Sequence, residues 1–372
     1  MSEAENVTNG ARFLIAAGGT GGHVIPGLQI GRELRRRGHD CRFAGTARGL
    51  ESRLVPKEGF ALELLPAGAL NRVSIRRQME TMLTLPQALW QAGQLLDRYR
   101  PAAVLSLGGY AAGPVLVASI LREIPVGVVE PNAEPGLAHR LAGPFVARAL
   151  LGFPRGERYF REGRAEFIGV PVREEFFRIP PKVHGKPFTI LITGGSQGSG
   201  RLNRAAIEAV EVWSQQKSLD ELKFHHQTGP KEYNGIHSAY ALHRANAQVA
   251  PFIDEMPQAF AEADLIICRS GASAVGELAA AGKASILIPF PLSSDDHQVR
   301  NAEAMQAAGG ARLVLDSDWN GERMVEEVER LVDSPATLEQ MEQGARSLAR
   351  PGAAALAADR LEELAGLRPR SF

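Results

Sequence analysis

Short apolar runs alternate with helical patterns along most of this chain. In the first half, runs at 12–17, 41–44, 61–65, 103–107 and 126–129 predict buried strands. Glycine and proline mark the joins between these strands and the helical stretches. This alternation predicts βαβ units, in which helices cover both faces of a parallel sheet.

The pattern pauses at 167–186, where Pro180-Pro181 and a charged pair suggest a linker between domains. It then starts again, and a second set of strands is predicted at 188–193, 223–227, 248–250, 265–268, 286–289 and 312–314. LIAAGGTGG and LITGGSQGSG open the two halves and form a weak internal repeat, although any two strand–loop–helix starts look alike. We therefore expect an α/β protein with two Rossmann-like parallel-sheet domains, 1–172 and 173–372, facing a central cleft. The last helix could pack back on the first domain.

Residues 264–301 contain the densest set of candidate binding groups. A predicted strand ends in RSGAS at 269–273, small residues that let a backbone approach a ligand closely. A helix carrying Glu277 follows, and a later helix opens near Gln298. A small-residue turn, a helix N-terminus and a carboxylate suit a phosphorylated ribose compound.

Three motifs fall short of better-known sites. The first glycine loop has Val24 where a dinucleotide fingerprint has its third glycine, and Ala284 stands where a Walker A loop has Ser or Thr. The DSD at 316–318 resembles a metal-binding D-x-D, but between a strand and a helix such residues favour helix capping. We expect no structural or obligatory metal and no cofactor.

Two strand ends offer candidate catalytic groups. His23 ends a glycine loop at a helix start, where the helix dipole disfavours protonation, so it could serve as a neutral general base or simply bond the backbone. Glu130 and Asn132 follow the strand at 126–129, on the side where open α/β sheets bind ligands. The GGYAAGP turn at 108–114 could bind a phosphate or allow tight packing.

Composition narrows the class of protein. The formal net charge of the 372 residues is zero, which argues against a nucleic acid as partner. Cys41 and Cys268 lack metal-binding spacing and are expected to be reduced. No apolar run reaches the roughly 18 residues of a membrane span. In 69–100, Arg72, Arg76 and Arg77 lie near apolar residues, which suits either contact with an anionic membrane surface or an ordinary core.

Four motifs in one order now suggest a family. GGTGGHVIPG, GGYAAGP, GGSQGSGRLN and RSGASAVGELAAAGKASILIPFP resemble the MurG family, bacterial N-acetylglucosamine (GlcNAc) transferases, with matches from about 13 to 310. The resemblance implies a GT-B fold and an inverting transfer of GlcNAc from UDP-GlcNAc to the MurNAc 4-hydroxyl of lipid I, which gives lipid II for peptidoglycan. It also implies a peripheral enzyme at the cytoplasmic face of the bacterial plasma membrane.

The resemblance also implies roles for particular residues. An inverting transfer needs a base for the acceptor hydroxyl, and we expect that base to be His23, with Glu130 as the second candidate. The substrate-binding residues would be Thr20, Gly21, Gly22, Asn132, Arg173, Ser196, Ile253, Ala272, Ser273, Ala274, Val275, Gly276, Glu277 and Gln298.

The chain departs from the family pattern at two places. Val129 and Pro131 replace the histidine and glutamine of His-Glu-Gln-Asn, and Val170 replaces the asparagine of Gly-Asn-Pro-Val-Arg. Three other functions stay open at this point: a GT-B enzyme with another lipid acceptor such as diacylglycerol, a UDP-GlcNAc 2-epimerase, and a non-catalytic UDP-sugar-binding protein.

Overall fold

The structure divides into two compact units. It is a computed structural model that describes residues 10–47, 49–66, 75–109, 111–293 and 296–367, with the backbone alone for 75–83. The first unit runs to Val172 and resumes at Gly352, and the second is Arg173–Pro351.

The first unit is built on a parallel sheet. Its strands are β1 Arg12–Ala17, β2 Asp40–Gly45, β3 Ala61–Leu64, β4 Ala103–Gly108, β5 Val126–Glu130, β6 Arg148–Leu151 and β7 Ala165–Phe167. They lie in the order β3-β2-β1-β4-β5-β6-β7. The helices between them are α1 Gly21–Arg36, α2 Glu51–Lys57, α3 Ile75–Tyr99, α4 Ala112–Leu121 and α5 Leu137–Ala142. Apolar clusters on both faces of the sheet bury the strands, as expected for this architecture.

The second unit repeats the plan. Its strands are β8 Phe188–Thr193, β9 Leu222–Gln227, β10 Ala247–Ala250, β11 Leu265–Cys268, β12 Ser285–Leu287 and β13 Ala311–Leu313. Their order, β10-β9-β8-β11-β12-β13, matches that of β3 to β6 in the first unit. Its helices are α6 Gly200–Gln216, α7 Tyr233–Leu242, α8 Met256–Glu262, α9 Ala272–Ala281, α10 His297–Ala307, α11 Gly321–Val332 and α12 Pro335–Ser347.

The last helix, α13 Ala353–Leu364, belongs to the first unit. Ala357 and Leu361 join the core that covers β1 and β5. Arg37 at the end of α1 is almost fully buried and pairs with Asp359 at 2.5 Å and with Glu362 at 2.8 Å. The helix is therefore held by an apolar face and by a buried ion-pair network.

These units confirm the predicted class of two parallel-sheet α/β domains. The strands β1, β8 and β11 have the predicted bounds. The short strands β6 and β7 were not predicted, and α1 begins at Gly21 rather than at the expected Val24. None of the helices within the described ranges is both long and apolar enough to cross a bilayer.

Candidate functional site

In both sheets the candidate residues collect where the strand order reverses. In the first sheet this switch point lies between β1 and β4, and in the second between β8 and β11. Open parallel sheets bind ligands at the carboxyl ends of the strands beside such a point. The four glycine-rich or small-residue turns of the sequence follow these four strands.

A buried carboxylate, Glu51, shapes the first glycine loop. Its Oε2 accepts a hydrogen bond from Gly19 N–H at 2.9 Å, and its Oε1 accepts two from Thr46, both at 2.8 Å. A Cβ added to Gly45 or to Gly49 would collide with this side chain. Gly19 has φ of +88°, a conformation that glycine adopts without strain.

His23 is half-buried in the first turn of α1. Its Nδ1 lies 3.3 Å from the carbonyl oxygen of Gly18, which can only accept a hydrogen bond. The proton of the neutral imidazole is therefore on Nδ1, and the lone pair is on Nε2. This is the tautomer that a general base requires if Nε2 meets the substrate.

Glu130 is fully engaged at the end of β5. It is 2% exposed and accepts hydrogen bonds from Asn132 N and Nδ2, both at 3.0 Å, from Gly136 N at 3.1 Å and from His139 Nδ1 at 2.8 Å. Burial opposes ionisation, but the hydrogen bond from His139, with electrostatic contributions from His139 and His23 and the hydrogen bond from Asn132 N–H, outweighs it and lowers the pKa of Glu130 to about 2. A carboxylate with this pKa is a poor proton acceptor near neutral pH, and its contacts suit a group that orients Asn132.

In the second unit, Arg269 joins the loops at the switch point. Its guanidinium donates to Ser199 Oγ at 2.8 Å and to the Ile288 and Pro289 carbonyl oxygens at 3.1 Å, and it pairs with Asp316 at 2.6 Å. The carbonyl oxygens of Ile288 and Pro289 accept from this side chain, and β12 ends at Leu287 and not at the predicted Pro289. The helix-capping interpretation of residues 316–318 was wrong, because Asn320 caps α11 and Asp316 pairs with Arg269.

The start of α9 combines space, helix N–H groups and a carboxyl group. A Cβ added to Gly271, the residue before α9, would meet no atom within 4 Å. The first-turn N–H groups of a helix have no partner within the helix and favour anions. Glu277 lies half-buried in the second turn, where burial raises its pKa to about 7 although Arg173 partly opposes this. Ser273 and Val275, in the first turn of α9, are buried.

The remaining predicted donor-site residues lie on neighbouring loops of the second unit. Gln298 Oε1 accepts from Phe290 N–H at 2.9 Å, and the Gln298 carbonyl accepts from Ser270 Oγ at 2.8 Å. Ile253 N–H donates to Gln227 Oε1 at 2.9 Å. Ser196 lies half-buried in the loop after β8.

Sequence reasoning missed Glu51 and His139, and it gave no role to Arg269 of RSGAS and the wrong one to Asp316 of DSD. The roles of all four depend on contacts between elements, which the local sequence does not show. Within the described parts of the chain, no three His, Cys, Asp or Glu side chains are grouped so as to hold a metal ion.

Two switch-point sheets with these loops define a class, the two-domain GT-B α/β proteins. Models of the N-terminal and C-terminal domains of glycosyltransferase family 28 match residues 13–151 and 189–357. The chain therefore belongs to glycosyltransferase family 28, and within it to the MurG family.

Individual relatives agree with this family. Proteins of Solibacter usitatus and Myxococcus xanthus named UDP-N-acetylglucosamine–N-acetylmuramyl-(pentapeptide) pyrophosphoryl-undecaprenol N-acetylglucosamine transferase are similar to it. They are 49% and 39% identical, over 96% and 94% of this chain and 97% and 91% of theirs. The crystal structure of Acinetobacter baumannii MurG is 29% identical, with a TM-score of 0.77 over 95% of this chain and 99% of that one.

Proposed function

We propose that this protein transfers GlcNAc from UDP-GlcNAc to the MurNAc 4-hydroxyl of lipid I, with inversion at the anomeric carbon, and so forms lipid II. The observation that carries the proposal is the 49% identity over nearly the whole chain to a transferase named for these substrates. This likeness favours lipid I over diacylglycerol as acceptor, and favours transfer over epimerisation or binding alone.

The second unit supplies a donor site without a metal ligand set. The diphosphate of UDP-GlcNAc would lie over the open space at Gly271, where the N–H groups of residues 272–274 and the helix dipole offset its charge. Glu277 would accept hydrogen bonds from the two ribose hydroxyls. No side chain of the described residues donates a hydrogen bond to this carboxyl group, so the ribose hydroxyls would supply donors that these side chains do not.

Neighbouring loops would complete recognition of the donor. Because Phe290 N–H occupies Gln298 Oε1, the Gln298 amide presents N–H donors to sugar hydroxyls. A uracil at Ile253 would compete with Gln227 Oε1 for the Ile253 N–H, or use the carbonyl. Arg173 and Ser196 would contact the nucleotide.

The first unit supplies the group that accepts the proton. His23 Nε2 takes the proton from the MurNAc 4-hydroxyl while that oxygen attacks the anomeric carbon and the bond to UDP breaks. Asn132, oriented by Glu130, would contact the GlcNAc, and Thr20, Gly21 and Gly22 would line the site. The negative charge that develops on the departing diphosphate is stabilised by the first turn of α9.

We also propose that the protein binds to the anionic cytoplasmic surface of the bacterial plasma membrane. Exposed apolar side chains lie on α3, α4 and α5, helices that pack in that order, and just beyond α5: Trp90, Leu121, Leu141 and Phe145 are 62–76% exposed. Such a surface suits a peripheral contact with lipid. The basic residue Arg72 lies outside the described residues, and no side chain of 75–83, including Arg76 and Arg77, is described.

Binding to vesicles tests this location. The double variant Leu121→Ser and Phe145→Ser should lose cosedimentation with phosphatidylglycerol vesicles, and Leu242→Ser, an equally exposed leucine of the second unit, should keep it. Equal loss in both variants would contradict the proposed surface.

A transfer assay tests the reaction itself. The protein is incubated with UDP-GlcNAc labelled in the sugar, with and without lipid I, and UDP release and the label in lipid are followed. Transfer that requires lipid I supports the proposal. Label in diacylglycerol, a free epimerised sugar nucleotide without acceptor, or binding without turnover would each replace it with another function.

A further inference from the structure

Three polar side chains form a continuous buried network beside the glycine loop of the first unit. His139 donates from Nδ1 to Glu130 at 2.8 Å, and its Nε2 lies 3.0 Å from Ser106 Oγ. Ser106, Glu130 and His139 are each at most 2% exposed, so none of them can reach a substrate directly. We call them the Glu130 network.

The network lies against His23. A Cβ added to Gly108 would be 3.2 Å from His23 Nε2 and 3.7 Å from His139 Cε1, so both imidazoles border the same point at the end of β4. The electrostatic interaction between Glu130 and His23 is one of the influences that hold the carboxyl group ionised. The ionisable groups that the described contacts place beside His23 or its loop include Glu51, which bonds Gly19, as well as Glu130 and His139.

We infer that Glu130 is the electrostatic partner of His23, and that His139 is a positioning residue that fixes the Glu130 carboxylate in that place. When His23 takes the acceptor's proton, the imidazolium that forms is stabilised by the buried negative charge. The inference rests on the proposed function, because it explains how His23 serves as base.

The hydrogen bonds of Glu130 explain why it can act in this way. Four donors satisfy the carboxylate, so it stays charged without taking up a proton itself. Charges interact more strongly in a buried site than in water, so the effect reaches His23 without a direct hydrogen bond.

Two variants of His139 separate positioning from packing. Asparagine places an N–H donor near the position of Nδ1 and can keep the bond to Glu130. Glutamine reaches the position of Nε2 and can keep the contact with Ser106 while it loses Glu130. Both variants remove the ring, so a role in packing alone predicts similar effects from the two.

The experiment measures the His23 titration by NMR and the acid limb of the kcat/KM profile in the full-length protein. Glu130→Gln should move both to lower pH by about one unit, because the charge that favours the imidazolium is gone. It should also reduce kcat about 10-fold or more. His139→Gln should shift both in the same direction, and His139→Asn should stay close to the wild type.

Two outcomes would overturn the inference: an unchanged His23 titration in Glu130→Gln, or equal behaviour of His139→Asn and His139→Gln. His226→Asn is a control for the loss of a buried histidine, since His226 bridges Asn203 and Tyr240 in the second unit. It should lower the melting temperature without moving the His23 titration. The NMR titration needs no turnover, so absence of GlcNAc transfer by the wild type would refute the proposed function and leave this inference to be judged separately.

Discussion

Glu277 links the stability of the second unit to its ligand in a way that one substitution can measure. Burial raises the pKa of its carboxyl group from 4.5 to about 7. At about 1.4 kcal/mol per pH unit, ionising it in the folded protein costs about 3 kcal/mol. Since the pKa is raised in the folded state, the stability that the neutral carboxyl group provides is fully present below pH 4.5 and is lost as the pH rises through 7.

Glu277→Gln should therefore stabilise the protein at pH 8 and change its stability by less than about 1 kcal/mol at pH 5. The amide stays neutral at both values, so it avoids up to about 3 kcal/mol of ionisation cost at pH 8. For a unit of this size, each kcal/mol raises the melting temperature by about 2–4 °C. Calorimetric melts at the two pH values measure the difference.

The same substitution should weaken binding of UDP-GlcNAc. Ribose hydroxyls donate to the ionised carboxyl group, so wild-type affinity should rise with pH by about 10-fold from pH 6 to 7.5, with release of a proton below pH 7. UDP-GlcNAc is a better ligand than free UDP for this calorimetry, because its diphosphate lacks the terminal phosphate group that ionises near pH 6. Glu277→Gln should bind more weakly at pH 8 and with a flatter pH dependence. If the variant is less stable than the wild type at pH 8, or the two share one pH profile of affinity, the reasoning about Glu277 is refuted.

Two further substitutions test the other unit. His23→Ala should lower kcat about 100-fold or more with unchanged affinity for UDP-GlcNAc, because it removes the base and no contact with the donor substrate. Transfer assays measure kcat and calorimetry measures the affinity, with His237→Ala as the control at an exposed histidine. A near-normal rate would exclude His23 as the base. Arg37→Met should cost about 3 kcal/mol of unfolding free energy, because it removes the guanidinium from the buried Glu362, which keeps only His39, and from the half-buried Asp359. Urea titrations measure this cost, and the exposed neighbour provides the control, since Arg36→Met should cost less than about 1 kcal/mol. Similar losses in the two variants would show that the burial of Arg37 is not decisive.

The sequence predicted the strands that lie at the centre of each sheet and missed β6 and β7 at one edge of the first sheet. β1, β8 and β11 are continuous apolar runs because both of their faces are covered by helices. β7 has three residues, all only partly buried, and β6 has Arg148 as its first residue, so neither produces a recognisable period. The early start of α1 was missed for a different reason. Gly21 and Gly22 have low helix propensity, so the sequence alone does not predict that they belong to the first turn of the helix.

The site was predicted as far as it depends on local sequence. Glu130 and Asn132 follow β5, and Glu277 lies in the helix after β11, so the rule for carboxyl ends of parallel strands finds them. Glu51 and Arg269 act through backbone groups of loops that are distant in sequence. Such contacts arise only when the strands are ordered in a sheet, and no spacing along the chain encodes them.

The departure at Val129 can now be judged from the geometry of β5. Side chains alternate along a strand, so residues 129 and 130 point to opposite faces of the sheet. Val129 is fully buried in the apolar cluster that also contains Val24 and Leu361, while Glu130 turns to Ser106 and His139 on the other side. A histidine at 129 would therefore meet the core beneath α1 and would not replace the imidazole that anchors Glu130. Loss of the family histidine leaves that anchor intact, because in this chain it comes from α5.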